Sequence, residues 1–168
     1  MKEKWNLYNK NGKKLKRECY RGEKLKNNEY HKVVGVWIKN KDNKLLISQR
    51  VKEKKHPLMW ETTGGSVQYN ESEFDAAIRE AKEELNIDLT NKKYTLVGKQ
   101  NRYFTNCNDI YYVYLFEVEE FNDIIVQKEE VNDYKWATIE EIKNIQDEDK
   151  FITTPYYEEI LYKISLMK

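Results

Sequence analysis

The sequence predicts an α+β fold in which a mixed β-sheet packs between helices, and three observations support this. Strand-like runs outnumber helical ones: residues 31–38 read HKVVGVWI, and residues 110–118 are almost entirely apolar or aromatic. Residues 72–85 instead repeat their apolar side chains with the helical period of 3.6. The length, 168 residues, suits one domain with a substantial core. We therefore expect a domain at residues 30–168, preceded by a small N-terminal hairpin extension at residues 1–29.

The first third of the chain is predicted to contain two hairpins. Residues 5–8 alternate between polar and apolar side chains, and the Asn11-Gly12 dipeptide that follows is typical of a tight hairpin turn. The strand at residues 31–38 is followed by a polar turn and then by residues 44–50, which read KLLISQR. We expect this second run to be the antiparallel hairpin partner of the first strand.

The next segment combines a glycine pair with the best-defined helix in the sequence. A short strand at residues 59–63 is predicted to enter a tight turn at Gly64-Gly65. Ser72 is expected to cap the helix, and Asn86 is expected to end it, because Asn is the usual alternative to Gly in a left-handed C-cap. The residues predicted to form its buried stripe are Phe74, Ala77, Ile78, Ala81 and Leu85.

The second half of the chain predicts more strands and two further helices. Residues 94–104 and 110–118 are expected to form a long antiparallel pair, joined by a turn-rich segment. Residues 134–137 form a short predicted strand, and Thr138 starts a capping box for the helix that follows it. Pro155 is expected in the first turn of a final amphipathic helix.

Composition excludes several classes of protein. The chain has 30 Lys and Arg residues against 29 Asp and Glu residues, a net charge of +1, which argues against binding a nucleic acid polymer or an anionic membrane. No apolar run has the length of a signal peptide or a membrane span, so we expect a cytoplasmic protein. Cys19 and Cys107 are expected to be reduced thiols.

The sequence leaves two alternatives for the role of the hairpin extension: it forms the interface of a homodimer, or it covers the domain.

Three carboxylates crowd one side of the helix at residues 72–85. Glu80 and Glu84, four residues apart, repel each other by about 0.2–0.5 kcal/mol on an isolated helix. With Glu83 they occupy an arc roughly 80–180° from the buried stripe, so they flank the core. A hard divalent cation, which prefers oxygen ligands, would compensate this repulsion. The pattern therefore predicts a metal site on this helix.

The residues around this helix resemble the Nudix box, a pattern of Gly, Glu, an Arg-Glu-apolar-x-Glu-Glu run and a closing Gly-apolar pair. The closing Gly is Asn86 here, and the other specified positions match. The wider chain, roughly residues 31–145, also fits the order of strands and helices in Nudix folds. The matching positions are Gly65, Glu71, Arg79, Glu80, Ala81, Glu83, Glu84 and Ile87.

The resemblance implies a pyrophosphohydrolase that depends on Mg²⁺ or Mn²⁺. Its substrate would be a small nucleotide-derived diphosphate, a nucleoside diphosphate linked to another group X, cleaved by attack of water at phosphorus. The resemblance implies that Glu80 and Glu84 bind the metal, and we expect the carbonyl of Gly65 to approach it. Glu83 would be a further ligand, directly or through water, or a base. Arg79 is expected to orient Glu83 by a salt bridge.

Two features outside the box also bear on this expected site. Some Nudix hydrolases use a further Glu upstream of a Trp, and here Glu130, six residues before Trp136, is the best match. Glu129 is the weaker candidate, and solvated loop acids are the alternative. The basic loop at residues 52–55 lies just ahead of the site in sequence and would either attract a polyphosphate or be merely solvated. The nature of X and the residues that bind it stay open.

A second group with the Nudix fold, the isopentenyl diphosphate isomerases, resembles this chain in layout at residues 29–38 and 54–65. Gly64 and Ser66 stand where those enzymes have a catalytic Cys and a His. His31 matches a histidine that binds metal in the isomerases, although a structural strand residue is the alternative. We therefore expect hydrolysis, with isomerisation, or a nucleotide-binding or regulatory module without turnover, as the alternative functions.

Overall fold

The computed structural model describes residues 2–119, 121 and 124–167, which contain nine strands and three helices. The combination of a mixed sheet with flanking helices confirms the predicted α+β class. In chain order the elements are β1 (Lys4–Tyr8), β2 (Lys14–Tyr20), β3 (Tyr30–Lys39), β4 (Leu45–Arg50), β5 (Trp60–Glu61), β6 (Thr63–Ser66), α1 (Glu73–Leu85), β7 (Lys93–Arg102), β8 (Asn108–Glu117), β9 (Val131–Ala137), α2 (Ile139–Asp147) and α3 (Tyr157–Leu166).

Strand β3 is the centre of the sheet. It pairs in parallel with β8 along its whole length, and antiparallel with the short strand β6. Strand β7 adds to the outside of β8 in the antiparallel direction, as predicted. At the start of β3, Tyr30 pairs with Tyr8 of β1, and β1 carries β2 as the predicted hairpin. The hairpin extension therefore continues the sheet through the beginning of β3.

The predicted antiparallel hairpin of β3 and β4 is confirmed only beside its turn. The two strands share one pair, Lys39 with Leu45, at the point where the chain turns. Strand β4 instead pairs antiparallel with β9 over six positions and with β5 over two. The physical reason is that β8 and β6 already occupy both edges of β3, so β4 has to find its hydrogen-bond partners elsewhere.

The predicted tight turn at Gly64-Gly65 is wrong, because both glycines lie within the extended strand β6. The predicted strand at residues 59–63 is split between β5 and β6 at Thr62. A Cβ atom on Gly64 would lie 2.2 Å from the carbonyl oxygen of Val34 on β3. Glycine is required here by the close approach of two strands, and not by a turn.

Helix α1 has the predicted ends. The Ser72 side chain accepts a hydrogen bond from the amide of Asp75, and Asn86 ends the helix in the left-handed conformation with φ 56°. The start of α3 differs from the prediction, since Pro155 and Tyr156 form a turn before the helix and Tyr156 has φ 69°. The amide of Tyr157 donates to the carbonyl of Thr154, which closes this turn.

Two hydrophobic cores lie on opposite faces of the sheet. Helix α1 covers one face and helices α2 and α3 cover the other, because successive side chains of a strand point to opposite sides. Strand β8 supplies both cores by this alternation. Its residues on the α1 face are Ile110, Tyr112, Tyr114 and Phe116, and those on the other face are Tyr111, Val113 and Leu115.

The N-terminal hairpin has a small core of its own. Trp5 packs with Leu7 and Cys19, and its ring stacks on that of His31 with the centroids 4.3 Å apart. Both Cys19 and Cys107 are free thiols. Within the described residues, no helix is long and apolar enough to span a bilayer.

Candidate active site

A polar cleft of about 270 Å³ lies between strand β6, helix α1 and the loops beside them. It brings together six residues for which the sequence predicts a catalytic or metal-binding role: Gly65, Arg79, Glu80, Glu83, Glu84 and Glu130. Among the described residues that line the cleft, the charged ones are five carboxylates and three cations. The carboxylates are Glu3, Glu80, Glu83, Glu84 and Glu130, and the cations are Arg21, Lys54 and Arg79. We call this the carboxylate cleft.

Gly65 places the backbone of β6 directly against the carboxylate of Glu80. A Cβ atom on Gly65 would lie 2.2 Å from Oε1 of Glu80, so any larger residue would displace that carboxylate. Strand β6 runs beside α1, and the glycine allows the two elements to approach at this point. The glycine of the sequence pattern is therefore explained by the space that Glu80 occupies.

Arg79 bonds three carboxylates with one guanidinium group. Its Nε lies 2.7 Å from Oε1 of Glu71, and its Nη1 lies 2.8 Å from Oε1 of Glu80 and 2.9 Å from Oε2 of Glu83. Its Nη2 also donates to the carbonyl of Ser66 on β6 at 3.0 Å. Burial opposes the charge of Arg79, but the bonds to Glu71 and Glu80 outweigh it and raise the Arg79 pKa. Of these contacts of Arg79, only the one with Glu83 was predicted from the sequence.

The helix carboxylates differ in their exposure to water. The side chain of Glu83 is 51% exposed, whereas that of Glu80 is 13% exposed. Burial raises the pKa of Glu80, against the opposing effect of Arg79. Burial also raises the pKa of Glu84 to about 8, and the negative charges of Glu80 and Glu61 add to this effect. The described lining of the cleft therefore holds more carboxylates than cations, five against three.

The donor set fits a hard divalent cation. In the part of the chain that the structure describes, no three Asp, Glu, His or Cys side chains already converge to hold an ion, since Arg79 draws Glu80 and Glu83 to itself. The buried carboxylate of Glu84 beside Glu80, and the backbone of Gly65 against Glu80, supply oxygen atoms of the kind that such a cation prefers. A cation bound here would offset the charge that raises the pKa of Glu84.

Glu130 reaches the cleft from the loop before β9. Its side chain is 39% exposed and pairs with the ammonium group of Lys54, which comes from the basic loop after β4. The amide of Val51 donates to the carbonyl of Glu130 and ties the two loops together. Glu129 is exposed and lies outside the cleft lining. Of the two candidate acids, the structure brings only Glu130 to the site.

Several residues that surround the site were not predicted from the sequence. Glu61 of β5 bonds Arg50 at 2.7 Å and adds its charge to the surroundings of Glu84. Glu3 precedes β1 and Arg21 follows β2, and both line the cleft from the open end of the N-terminal hairpin. These residues lie on separate segments with no shared spacing, so the sequence alone carries no signal for them. Lys54 had a partial signal, the basic loop itself.

His31, the isomerase-like candidate, lies outside the carboxylate cleft. It is 5% exposed and stacks on Trp5 beneath the hairpin. Burial, with the nearby charges of Arg102 and Arg21, lowers its pKa to about 4, so the ring is neutral at pH 7. Among the described residues that line the cleft there is no Cys or His.

Comparisons with known proteins identify similar chains. A domain model described as NUDIX matches residues 29–156. A Nudix hydrolase of Listeria innocua is 36% identical over 159 residues, covering 92% of this chain and 90% of that protein. The crystal structure of DR0079 from Deinococcus radiodurans has a TM-score of 0.77 at 20% identity and covers 94% of this chain and 97% of that one. A C. elegans Ap4A hydrolase has a TM-score of 0.57 at 25% identity, covering 80% and 96%.

Proposed function

This chain belongs to the Nudix hydrolase family and is a pyrophosphohydrolase, and we propose that it cleaves the diphosphate linkage of a nucleoside diphosphate-X substrate with Mg²⁺. The observation that carries this proposal is the excess of carboxylates over cations in the described lining of the cleft, five against three. Glu84 lies near Glu80, which packs against the backbone of Gly65. A surplus of this kind suits a substrate that binds as its metal complex, since the diphosphate alone would be repelled.

In this proposal Glu80, Glu84 and the Gly65 carbonyl would hold the divalent cation, and Glu83 would contribute directly or through a water molecule. When bound, the cation would supply positive charge that offsets the negative charge of the diphosphate oxygens. Mn²⁺ offers the same preference for oxygen ligands, so both ions should support activity. Arg79 acts on Glu80 and Glu83 by holding their carboxylates on one side of the helix.

The proposed acid–base chemistry uses the exposed end of the cleft. Glu130 accepts the proton of the attacking water, a new P–O bond forms, and the bridging P–O bond breaks to release the second phosphoryl group. Lys54 pairs with Glu130 and orients its carboxylate toward the cleft. Glu83, half exposed to water, is the alternative base.

The nucleotide part of the substrate is supported by the relatives. The C. elegans protein, at 25% identity, is described as an Ap4A hydrolase, which supports a nucleoside polyphosphate as the substrate class. The identity of X is the open choice. We therefore propose a screen over nucleoside triphosphates, nucleotide sugars, dinucleoside polyphosphates and prenyl diphosphates, with release of phosphate, pyrophosphate or nucleotide as the readout.

The decisive experiment compares wild type with Glu84→Gln on this panel in the presence of Mg²⁺ or Mn²⁺. We expect wild type to hydrolyse at least one nucleotide class and Glu84→Gln to lose about 100-fold or more in kcat/KM. Glu130→Gln tests the proposed base, and Glu129→Gln is its matched control outside the cleft. Tight binding without turnover would instead establish a regulatory module, and conversion of isopentenyl to dimethylallyl diphosphate would establish an isomerase.

A further inference from the structure

The N-terminal hairpin contributes two charged side chains to the carboxylate cleft. Glu3 precedes β1 and Arg21 follows β2, and antiparallel pairing of the strands brings these two residues together at the open end of the hairpin. The amide of Arg21 donates to the carbonyl of Glu3 at 2.8 Å, which continues the ladder to this point. Both residues line the cleft together with Arg79 and Glu80.

Several contacts hold this end of the hairpin in place. The indole Nε1 of Trp5 donates to Oε1 of Glu3 at 2.9 Å, and the Trp5 ring stacks on His31 of β3. The amide of Tyr69, in the segment between β6 and α1, donates to the carbonyl of Lys4 at 2.9 Å. The backbone that carries Arg21 is therefore attached both to the central strand and to the segment that enters the helix.

The guanidinium group of Arg21 is free to exchange its partner. Its side chain is 73% exposed, and within the described residues its carboxylate partner is Glu3, with Nη1 to Oε2 at 3.0 Å. An ion pair this exposed contributes little to stability, so a phosphate oxygen can compete for the guanidinium group. The other cations of the described lining differ, since Arg79 bonds three carboxylates and Lys54 pairs with Glu130.

We propose that Arg21 forms a phosphate-binding subsite on the hairpin side of the cleft, exchanging Glu3 for a phosphate oxygen when a diphosphate substrate binds. The proposal rests on the function proposed above. It assigns to Arg21 a phosphoryl group of the substrate, because the guanidinium fork matches the geometry of phosphate oxygens. It also gives the N-terminal hairpin a role in substrate binding, in addition to covering the domain.

The test uses two substitutions that break the same ion pair. Arg21→Ala removes the proposed ligand of phosphate, so KM should rise about tenfold while kcat stays within about twofold. Glu3→Gln keeps the acceptor for Trp5 but releases Arg21, so KM should fall about two- to threefold. A purely structural role of the pair predicts that both substitutions shift KM in the same direction.

Binding of inorganic pyrophosphate, measured by calorimetry at saturating Mg²⁺, provides a readout that does not depend on turnover. The dissociation constant should change as KM does, rising for Arg21→Ala and falling for Glu3→Gln. Arg21→Lys, which keeps the charge but loses the fork, should give an intermediate value and guards against misfolding of the alanine variant. Lys16→Ala is the matched control, since Lys16 is an exposed cation of the same hairpin outside the cleft.

The outcomes separate this inference from the proposed function. Pyrophosphate affinity that is equal in Arg21→Ala and Lys16→Ala, or that shifts in one direction in both Arg21→Ala and Glu3→Gln, would overturn the subsite. Failure of wild type to bind pyrophosphate would also overturn it. Pyrophosphate binding that depends on Arg21, in a protein that turns over no substrate of the panel, would support the subsite and refute the proposed function.

Discussion

Two arginines of this protein are largely withdrawn from water, but their surroundings differ in charge balance. Arg102 forms two hydrogen bonds with one carboxylate, that of Asp109, at 2.7 and 2.8 Å, and these side chains are 8% and 6% exposed. The same guanidinium group lies 3.8 Å from the ring centroid of Tyr111. Arg79 instead bonds three carboxylates, those of Glu71, Glu80 and Glu83.

The difference is the one that we expect between a structural ion pair and one that belongs to the proposed active site. Around Arg102 one positive charge meets one negative charge, and two hydrogen bonds join the pair directly. Around Arg79 there are more carboxylates than cations, and Glu84 beside them has a pKa raised to about 8 by burial and its acidic neighbours. A cluster of carboxylates that repel one another is typical of an active site, because it favours binding of a cation at the expense of the stability of the metal-free protein.

The largest effect on stability is expected at the Arg102–Asp109 pair, whose charges balance. Asp109→Ala leaves Arg102 buried without its partner, so the free energy of unfolding should fall by about 3–5 kcal/mol, measured by urea denaturation. Hydrolysis per folded molecule should stay near that of wild type, because Asp109 lies outside the carboxylate cleft. The double variant Arg102→Met with Asp109→Leu should recover most of the lost stability. A loss of activity in folded Asp109→Ala would mean that the pair belongs to the active site.

The second-largest effect is expected in the pH dependence of stability, through His31, whose pKa is lowered by burial and by the charge of Arg102. Burial lowers its pKa to about 4, whereas the unfolded chain has a His pKa near 6.5, so below pH 6.5 the unfolded state binds more protons. Stability should therefore be complete above pH 6.5 and fall by up to about 3 kcal/mol as the pH is lowered toward 4. In His31→Phe, which keeps a ring against Trp5, the unfolding free energy should depend less on pH. Equal pH slopes in both proteins would contradict this.

The smallest effect is expected in the carboxylate cleft, with the opposite sign. In the presence of a chelator at pH 7, Glu84→Gln should raise the free energy of unfolding by about 1 kcal/mol, because the Glu84 carboxyl, with its pKa raised to about 8, takes up a proton on folding and Gln does not. Thermal or urea unfolding measures this directly. Glu83→Gln is the control, since this half-exposed residue should change stability by less than about 0.5 kcal/mol. A loss of stability in Glu84→Gln would show that its carboxylate is part of a balanced structural network.

The predictions from the sequence were accurate where they depended on residues close together in the chain, and less accurate where they depended on residues far apart. Helix α1 was predicted with its two caps, because Ser72 and Asn86 act on backbone groups within a few residues of themselves. The turn expected at Gly64-Gly65 was wrong, since the reason for these glycines lies on β3 and on Glu80. The hairpin expected between β3 and β4 forms only beside its turn, since β8 and β6, from later in the chain, pair with most of β3.

The sequence by itself determined the α+β class, the helix with its spaced carboxylates, and the Nudix pattern that marks the site, because these depend on periodicity and on short fixed spacings. Only the tertiary structure decided which other residues reach that site. Strand pairing and loop contacts bring Glu3, Arg21, Lys54 and Glu130 to the cleft from segments far apart in the chain. The tertiary structure likewise decided that Glu84, near Glu61, Lys54 and Glu130, is withdrawn from water while Glu83 stays half exposed, a distinction that their adjacent positions in sequence do not contain.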